Sequence, residues 1–456
     1  MSLLTPSLSV STISRDPAAF SRDTTLDIHK VYRNVDPKLH PFEKGREYTR
    51  ALNAVKMERM FSKPFLFALD GHSDGVYSLA TLPTSLVRVA SGAGDGEVRV
   101  WNLTNQKCEW KAKAHTGIVR GLTSNTSGEL LLSASMDSTV KMWRSEVSLD
   151  ELASAEGVRP VATFLGAHPF NAIDHHRKED MFVTAGAKVE LWNHNRADAL
   201  HSFEWGADTI NTVKFSPVEH HLLVSTASDR NIILYDVRAR SPLRKLIMQM
   251  QTNAVAFNPQ EAFYFTTANE DHKCYTFDMR RLDQAVNIHE DHVSAVIAID
   301  YAPTGKEFVT GSYDRTLRIF PSNGGHAREI YHTKRMQRIF AVKFTSDNKY
   351  VLSGSDDTNL RLWKARAADH IGNVLARERN AKEYRAKLVE RFAHTPQVRA
   401  IARDRKIPKA VLKARRLKHE ITKAAKVKEQ RVRAHSKPGA VPFVSAKKTA
   451  VRKEVE

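Results

Sequence analysis

GAGDGEVRVWN (92–102), SASMDSTVKMWR (133–144) and GSDDTNLRLWK (354–364) share one layout: a turn with an Asp, a β-rich run, and a closing aromatic. Four further segments vary it: TAGAKVELWN (184–193), STASDRNIILYD (225–236), TANEDHKCYTFD (267–278) and GSYDRTLRIFP (311–321). Six of the seven put an Asp six residues before the aromatic: Asp95/Trp101, Asp137/Trp143, Asp229/Tyr235, Asp271/Phe277, Asp314/Phe320 and Asp357/Trp363. Four residues before each Asp stands a hydroxyl: Ser91, Ser133, Ser225, Thr267, Thr310 and Ser353. Successive Asp positions step by 42, by 92 across the irregular third segment, then by 42, 43 and 43. Self-similarity at about 40–45 residues, built from short strands, is the period of a propeller blade. Inside the runs Val98, Val100, Val140 and Met142 point one way and Arg99 and Lys141 the other, as in half-buried strands. The expected fold is an all-β, seven-bladed β-propeller.

These segments resemble the blades of WD40 proteins. The resemblance implies that each Asp sits in a tight turn between two inner strands and accepts hydrogen bonds from turn amides and from a His opening the blade. His72, His115 and His292 stand 22 or 23 residues before their Asp, where that partner belongs. A buried carboxylate left unpaired costs several kcal/mol, so His72, Asp95, Trp101, His115, Asp137, Trp143, Asp229, Asp271, His292, Asp314, Asp357 and Trp363 are read as blade-holding residues. The third repeat has Gly186 in place of Asp, and blades four, five and seven lack the His. An insertion, Glu146 to Pro160, is expected to be a surface loop. Ring closure borrows a strand from the N-terminal side, for which KPFLFAL (63–69) has the composition and position.

Three regions are expected: an N-terminal extension (1–62), the propeller (63–364) and a basic helical C-terminal extension (365–456). In the first, Asn34, Asp36 and Pro37 mark turns, and Phe42 to Phe61 is expected to form a helix beginning near Pro41. After Lys364 the chain turns to Ala, Arg, Lys, Glu and Leu, good helix formers. Tyr384, Leu388 and Phe392, then Val398 and Ile401, give apolar faces at helical spacing. Helices are expected over about 366–393, 396–405 and 408–434, with Pro396 and Pro408 at or near their starts. The closing segment, HSKPGAVPFVSAKKTAVRKEVE, is expected to be flexible until bound.

Charge separates these regions more sharply than composition does. The net charge is +19, yet residues 365–456 hold 26 Lys and Arg against 9 Asp and Glu, so the last fifth carries +17 of it. That is the layout of a polyanion-binding extension on a neutral body. Its densest part contains Arg399, Arg403, Arg405, Lys406, Lys409, Lys413, Arg415 and Arg416, the predicted RNA or partner contacts. Arginine forks match phosphate oxygens, and each neutralised phosphate releases counterions. Aromatic residues are sparse there, so recognition through backbone and RNA shape is expected rather than base stacking.

Several function classes are set aside. No stretch approaches about 20 uncharged apolar residues, and the N-terminus has no secretory pattern. Cys108 and Cys274 have no metal-type spacing, which points to a reducing compartment. GAGDG (92–96) imitates part of a dinucleotide fingerprint but lies in a blade turn. His175–His176 and His220–His221 are not read as metal ligands. No catalytic constellation, cofactor, metal, membrane or small-molecule substrate is expected.

RNVDPKLHPFEKGREYTRALNAVKMERMFSKPFLFALDGHSDGV (33–76) and LARERNAKEYRAKLVERFAHTPQVRAIARDRKIPKAVLKA (375–414) resemble the two hallmarks of Sof-type WD-repeat proteins. Together with the repeats they carry the resemblance over almost the whole chain. It implies a nucleolar protein of the small-subunit processome, associated with a small nucleolar ribonucleoprotein and acting in pre-rRNA cleavage and 18S rRNA maturation. The implied partners are pre-rRNA and neighbouring processome proteins. A second reading comes from cullin-type ubiquitin ligase receptors, which dock to an adaptor through Asp-x-Arg at blade ends. Asp236-Val-Arg238 and Asp278-Met-Arg280 match that pattern, as would ordinary blade ends.

Overall fold

A computed structural model describes residues 36–146, 158–206, 208–239, 241–437 and 439–455. Seven antiparallel sheets follow the seven repeats, and each innermost strand packs on that of the next blade until blade 7 meets blade 1. Blade 1 is typical: Val76–Thr81 is innermost, then Arg88–Ala93 and Glu97–Asn102, with Lys107–Lys113 outermost. The expected closing strand is present. Phe65–Leu69 pairs antiparallel with Leu360–Lys364, Phe65 opposite Trp363 and Leu69 opposite Leu360, and completes blade 7. Closing the ring in this way pairs what would otherwise be a free edge.

The core lies between blades, where apolar faces of adjacent sheets meet. Trp101, Trp143, Trp192, Tyr235, Phe277, Phe320 and Trp363 are all at most 3% exposed. Close approach needs small residues on the second strands. At Gly354 an added Cβ would lie 2.7 Å from Cγ1 of Val76, so glycine lets blade 7 seat on blade 1. The third repeat closes without its Asp: a four-stranded sheet runs from Ala172–His175 to His201–Phe203. Most of the predicted surface loop, 147–157, lies outside the described residues, as do residues 1–35.

Two compact units emerge from the chain. One holds residues up to Lys63 with Ala368–Asp404; the other holds Pro64–Ala367 with Arg405–Glu456. Among its described residues the first contains three α-helices: α1 (Glu43–Phe61), α2 (Ala376–Arg391) and α3 (Pro396–Arg403). Ala51, Ala54 and Val55 of α1, Leu388 of α2 and Val398 of α3 are buried. Half-buried Tyr48 donates to Gln397 Oε1 at 2.8 Å and meets Phe392 edge-on at 5.8 Å. Glu47 pairs with Arg391 at 2.7 Å. Helix α2 starts ten residues later than expected, because Gly372 takes φ +99, a left-handed conformation that ends regular helix.

In the second unit the long helix α4 (Lys409–His435) follows the ring. The closing segment differs from expectation. Ala446–Thr449 forms a helical turn, and Val451–Val455 adds a fifth strand to blade 4, antiparallel to Ser241–Met248. Ala450 is buried in the core cluster of blades 4 and 5, with Val451 packed against it. The ladder and this apolar contact order a segment whose polar composition suggested flexibility.

Candidate nucleic-acid and partner interface

The repeated Asp residues work on the turns that carry them. Oδ1 accepts the amide two residues on: Glu97 at 2.9 Å, Thr139 at 3.0 Å, Asn231 at 3.3 Å, Lys273 at 3.0 Å and Thr316 at 2.9 Å. The intervening residue has positive φ in every case: Gly96, Ser138, Arg230, His272 and Arg315, and likewise Thr358 after Asp357. Left-handed backbone is costly for residues with a Cβ, and the carboxylate cap offsets that cost.

Blade 2 shows the full relay. His115 Nδ1 meets Asp137 at 3.1 Å and Nε2 meets Ser133 Oγ at 2.8 Å, which also accepts from Trp143 Nε1 at 2.9 Å. In blade 6, His292 bridges Asp314 at 2.9 Å and Thr310 at 2.7 Å. Burial pushes the His292 pKa down, so the neutral ring donates Nδ1–H to Asp314. Burial would raise Asp314, but His292, Arg318 and Thr316 outweigh it and hold the carboxyl well below the ordinary range. Blade 1 differs from expectation. His72 reaches Ser91 at 2.6 Å, but its Nδ1 has no partner among the described residues, and Asp95 takes the Ser73 hydroxyl instead.

Where the His is missing, other groups substitute. Arg361, 4% exposed, forks onto Asp357 in blade 7, beside the Trp363–Ser353 bond of 2.8 Å. In blade 5 the Tyr275 hydroxyl donates to Asp271 at 2.6 Å, and in blade 4 Asn231 donates to Asp229. In blade 3 Trp192 turns to Thr184 at 2.9 Å. The first of the histidine pairs is also engaged: His176 accepts the amides of Lys178 and Glu179, and His175 faces His194 at 3.1 Å.

The eight predicted RNA-contacting cations fall into two groups. Arg405 lies against the ring: its Nε is 3.2 Å from Glu329 and donates to the Arg328 carbonyl at 2.7 Å. Arg415 pairs with the buried Asp291 at 2.9 Å. These two anchor the tail to blade 6 and to the loop that enters it. Lys418 adds a third attachment, donating to the Val293 carbonyl at 3.2 Å, and its burial lowers its pKa to about 8. The other six stay exposed and, among the described residues, without a carboxylate partner: Lys406, Lys409, Lys413 and Arg416 in this unit, Arg399 and Arg403 on α3 of the other. The anchoring acids Glu329 and Asp291 carry no sequence signal of their own, since they matter only once the tail lies beside them.

Both Asp-x-Arg segments end a third strand. The Arg238 side chain is 68% exposed and folds back on Asp236 at 3.4 Å. The Arg280 side chain, 61% exposed, meets Asp278 at 2.8 Å and lies 4.3 Å over the Phe263 ring. Arg280 lowers the Asp278 pKa, chiefly through that hydrogen bond.

Comparison with known proteins agrees with this layout. Residues 365–451 match the Sof1-like domain. Five stretches, 63–102, 106–144, 198–236, 284–320 and 328–364, match the WD domain, G-beta repeat. Protein SOF1 of Saccharomyces cerevisiae is 42% identical over 97% of this chain and 94% of its own length. The chain belongs to the Sof1-like WD-repeat family. Other relatives are the proteins named DDB1- and CUL4-associated factor 13 of Danio rerio, 50% identical over 98% of this chain and all of the relative, and of Homo sapiens, 49% identical over 97% and 99%. In this Sof1-like chain the domain match begins one residue after the last repeat strand, Leu360–Lys364. It takes in α2, α3, α4 and the start of the added strand on blade 4. The two repeats outside the WD matches are blade 3, with Gly186 for Asp, and blade 5, closed by Phe277.

Proposed function

We propose that this WD-repeat scaffold is a non-enzymatic component of the nucleolar small-subunit processome. It acts in pre-rRNA processing, 18S rRNA maturation and small ribosomal subunit biogenesis, binding pre-rRNA, a small nucleolar ribonucleoprotein and neighbouring proteins. The observation that carries the reading is the division of labour on the tail. Arg405 and Arg415 are spent on the ring's own acids, while Lys406, Lys409, Lys413 and Arg416 are exposed and meet no carboxylate among the described residues. A scaffold that must hold polyanion needs both: an attachment that survives the electrolyte and a cationic surface that can exchange counterions for phosphate. Crosslinking of the intact protein in cell extract, with sequencing of the attached RNA, tests it. Enrichment of pre-rRNA is expected; recovery of scattered messenger RNA alone overturns the assignment.

A second reading is favoured by the exposed guanidinium groups of Arg238 and Arg280, at positions where receptors of cullin-type ligases meet their adaptor. The relatives named as DDB1- and CUL4-associated point the same way. Arg238→Ala with Arg280→Ala is expected to abolish adaptor capture while sparing association with pre-ribosomal particles. Retained capture removes this reading.

A further inference from the structure

Six of the seven innermost strands carry a β-bulge near their start, at Tyr77, Arg120, Asn211, Asn253, Ile297 and Phe340. A bulge re-aims its side chain, and this ring uses its bulges in two ways. Asn211 and Asn253, and Asn171 at the matching place in blade 3, donate to backbone carbonyls of the next blade: Thr252, Val296 and Ile210 at 3.2, 2.9 and 2.9 Å. On the opposite arc Phe340, Tyr77 and Arg120 make no such stitch among the described residues. They join a row that runs across four blades. Arg120 lies 5.3 Å over Tyr77, and Tyr77 stacks on Phe340 at 4.5 Å and 9°. Phe340 meets Tyr313 edge-on at 6.2 Å, and Arg338 lies 5.2 Å over Tyr313.

The two arginines depart from the habit of this ring. Arg99, Arg318, Arg328 and Arg361 each sit beside a carboxylate. Arg120 and Arg338 are exposed and, among the described residues, meet none. Laid on a ring, a guanidinium loses rotamer freedom but keeps its N–H edge free, which prepares it for a carboxylate. Asp74 and Asp356 lie near Tyr77 and raise its hydroxyl pKa, after burial. They disfavour a further anion at the middle of the row, so its two ends are the cationic places and its centre is the apolar one. Tyr77 and Phe340 cover each other and the guanidinium groups lie over Tyr77 and Tyr313, which leaves little ring face for a nucleobase to stack on. One tail cation attaches nearby: Lys418 bonds Val293, two residues before Ala295, whose carbonyl accepts the Tyr313 amide.

We propose that this arc binds a short acidic peptide segment of a partner protein, with carboxylates on Arg120 and Arg338 and an apolar residue over the Tyr77–Phe340–Tyr313 centre. The test titrates the full chain into fluorescein-labelled Asp-Glu-Asp-Leu-Phe-Glu-Asp-Glu at about 150 mM salt, where loose surface attraction is largely screened, and reads anisotropy. Arg120→Glu with Arg338→Glu should weaken binding by about tenfold or more. Lys413→Glu with Arg416→Glu, on the tail, should change it less than about twofold. All four side chains are exposed, and unchanged far-ultraviolet circular dichroism confirms that the variants fold. The proposal is overturned if the parent chain does not bind the peptide, or if the tail variant loses it while the arc variant does not. It is also overturned if a uridine decamer, rather than the peptide, depends on the arc arginines.

Discussion

Replacing Lys406, Lys409, Lys413 and Arg416 together by Gln is expected to flatten the salt dependence of RNA binding without detaching α4. These four are exposed and unpaired among the described residues of their unit, so each is free to neutralise a phosphate. Each phosphate neutralised contributes about 0.7–0.9 to the slope of log affinity against log salt. Four lost contacts therefore reduce that slope by about 3. Over a fourfold rise in salt, from about 50 to 200 mM, the affinity of the variant should fall about 60-fold less than that of the parent. Filter binding of a structured pre-rRNA hairpin to the full chain, over a salt series, measures it.

The control is as informative as the variant. Arg405→Gln with Arg415→Gln removes the same kind of charge from the same stretch, but these side chains already face Glu329 and Asp291. The slope should stay within about 0.5 of the parent value, while protease protection of α4 falls as its attachment weakens. An unchanged slope in the fourfold variant, or an equal flattening in the anchor variant, would refute the separation of grip from anchor.

Removing His292 tests the blade relay. His292→Ala leaves Asp314, whose side chain is 3% exposed, without one charge-assisted partner, and should cost about 3 kcal/mol of unfolding free energy by denaturant titration. Thr358 is β-branched at φ +69, so Thr358→Gly should stabilise the chain by about 1 kcal/mol in the same assay. The Lys418 amine should titrate near pH 8 by carbon-13 shift. Because docking lowers its pKa from the ordinary value of 10.5, the docked form binds fewer protons between those limits, and attachment of α4 should strengthen as pH rises from about 8. Lys418→Met should abolish that dependence.

What the sequence makes legible is what repeats or what is concentrated. The Asp, hydroxyl and aromatic spacing locates the blades because every blade meets the same turn geometry. The closing strand at 63–69 follows from the need to pair an edge. Local substitutions are harder to foresee. Arg361 stands in for a missing His, and Ser73 displaces His72 at Asp95, because a carboxylate accepts any nearby donor and several arrangements satisfy it. The strand at Val451–Val455 is legible only afterwards. Five residues with a valine at each end say little until the outer edge of blade 4 offers a ladder and Ala450 finds an apolar pocket.

A tail so rich in cations still attaches through ion pairs because the acids it meets are shielded from solvent. An exposed pair in salt is worth little, so surface lysines alone would leave the tail mobile and its charge diffuse. The Glu329 and Asp291 side chains are only 8% and 6% exposed, where screening is weaker than at the open surface, and Arg405 brings a second bond to the Arg328 carbonyl. An attachment of that kind holds at ionic strengths that strip phosphate contacts from the outer face. The attachment and the grip therefore answer to salt differently, although both are built from basic side chains within one stretch of a dozen residues. Raising salt should release RNA while the helix stays seated on the ring, and a tail that left the ring together with the RNA would show that the two functions share one set of charges.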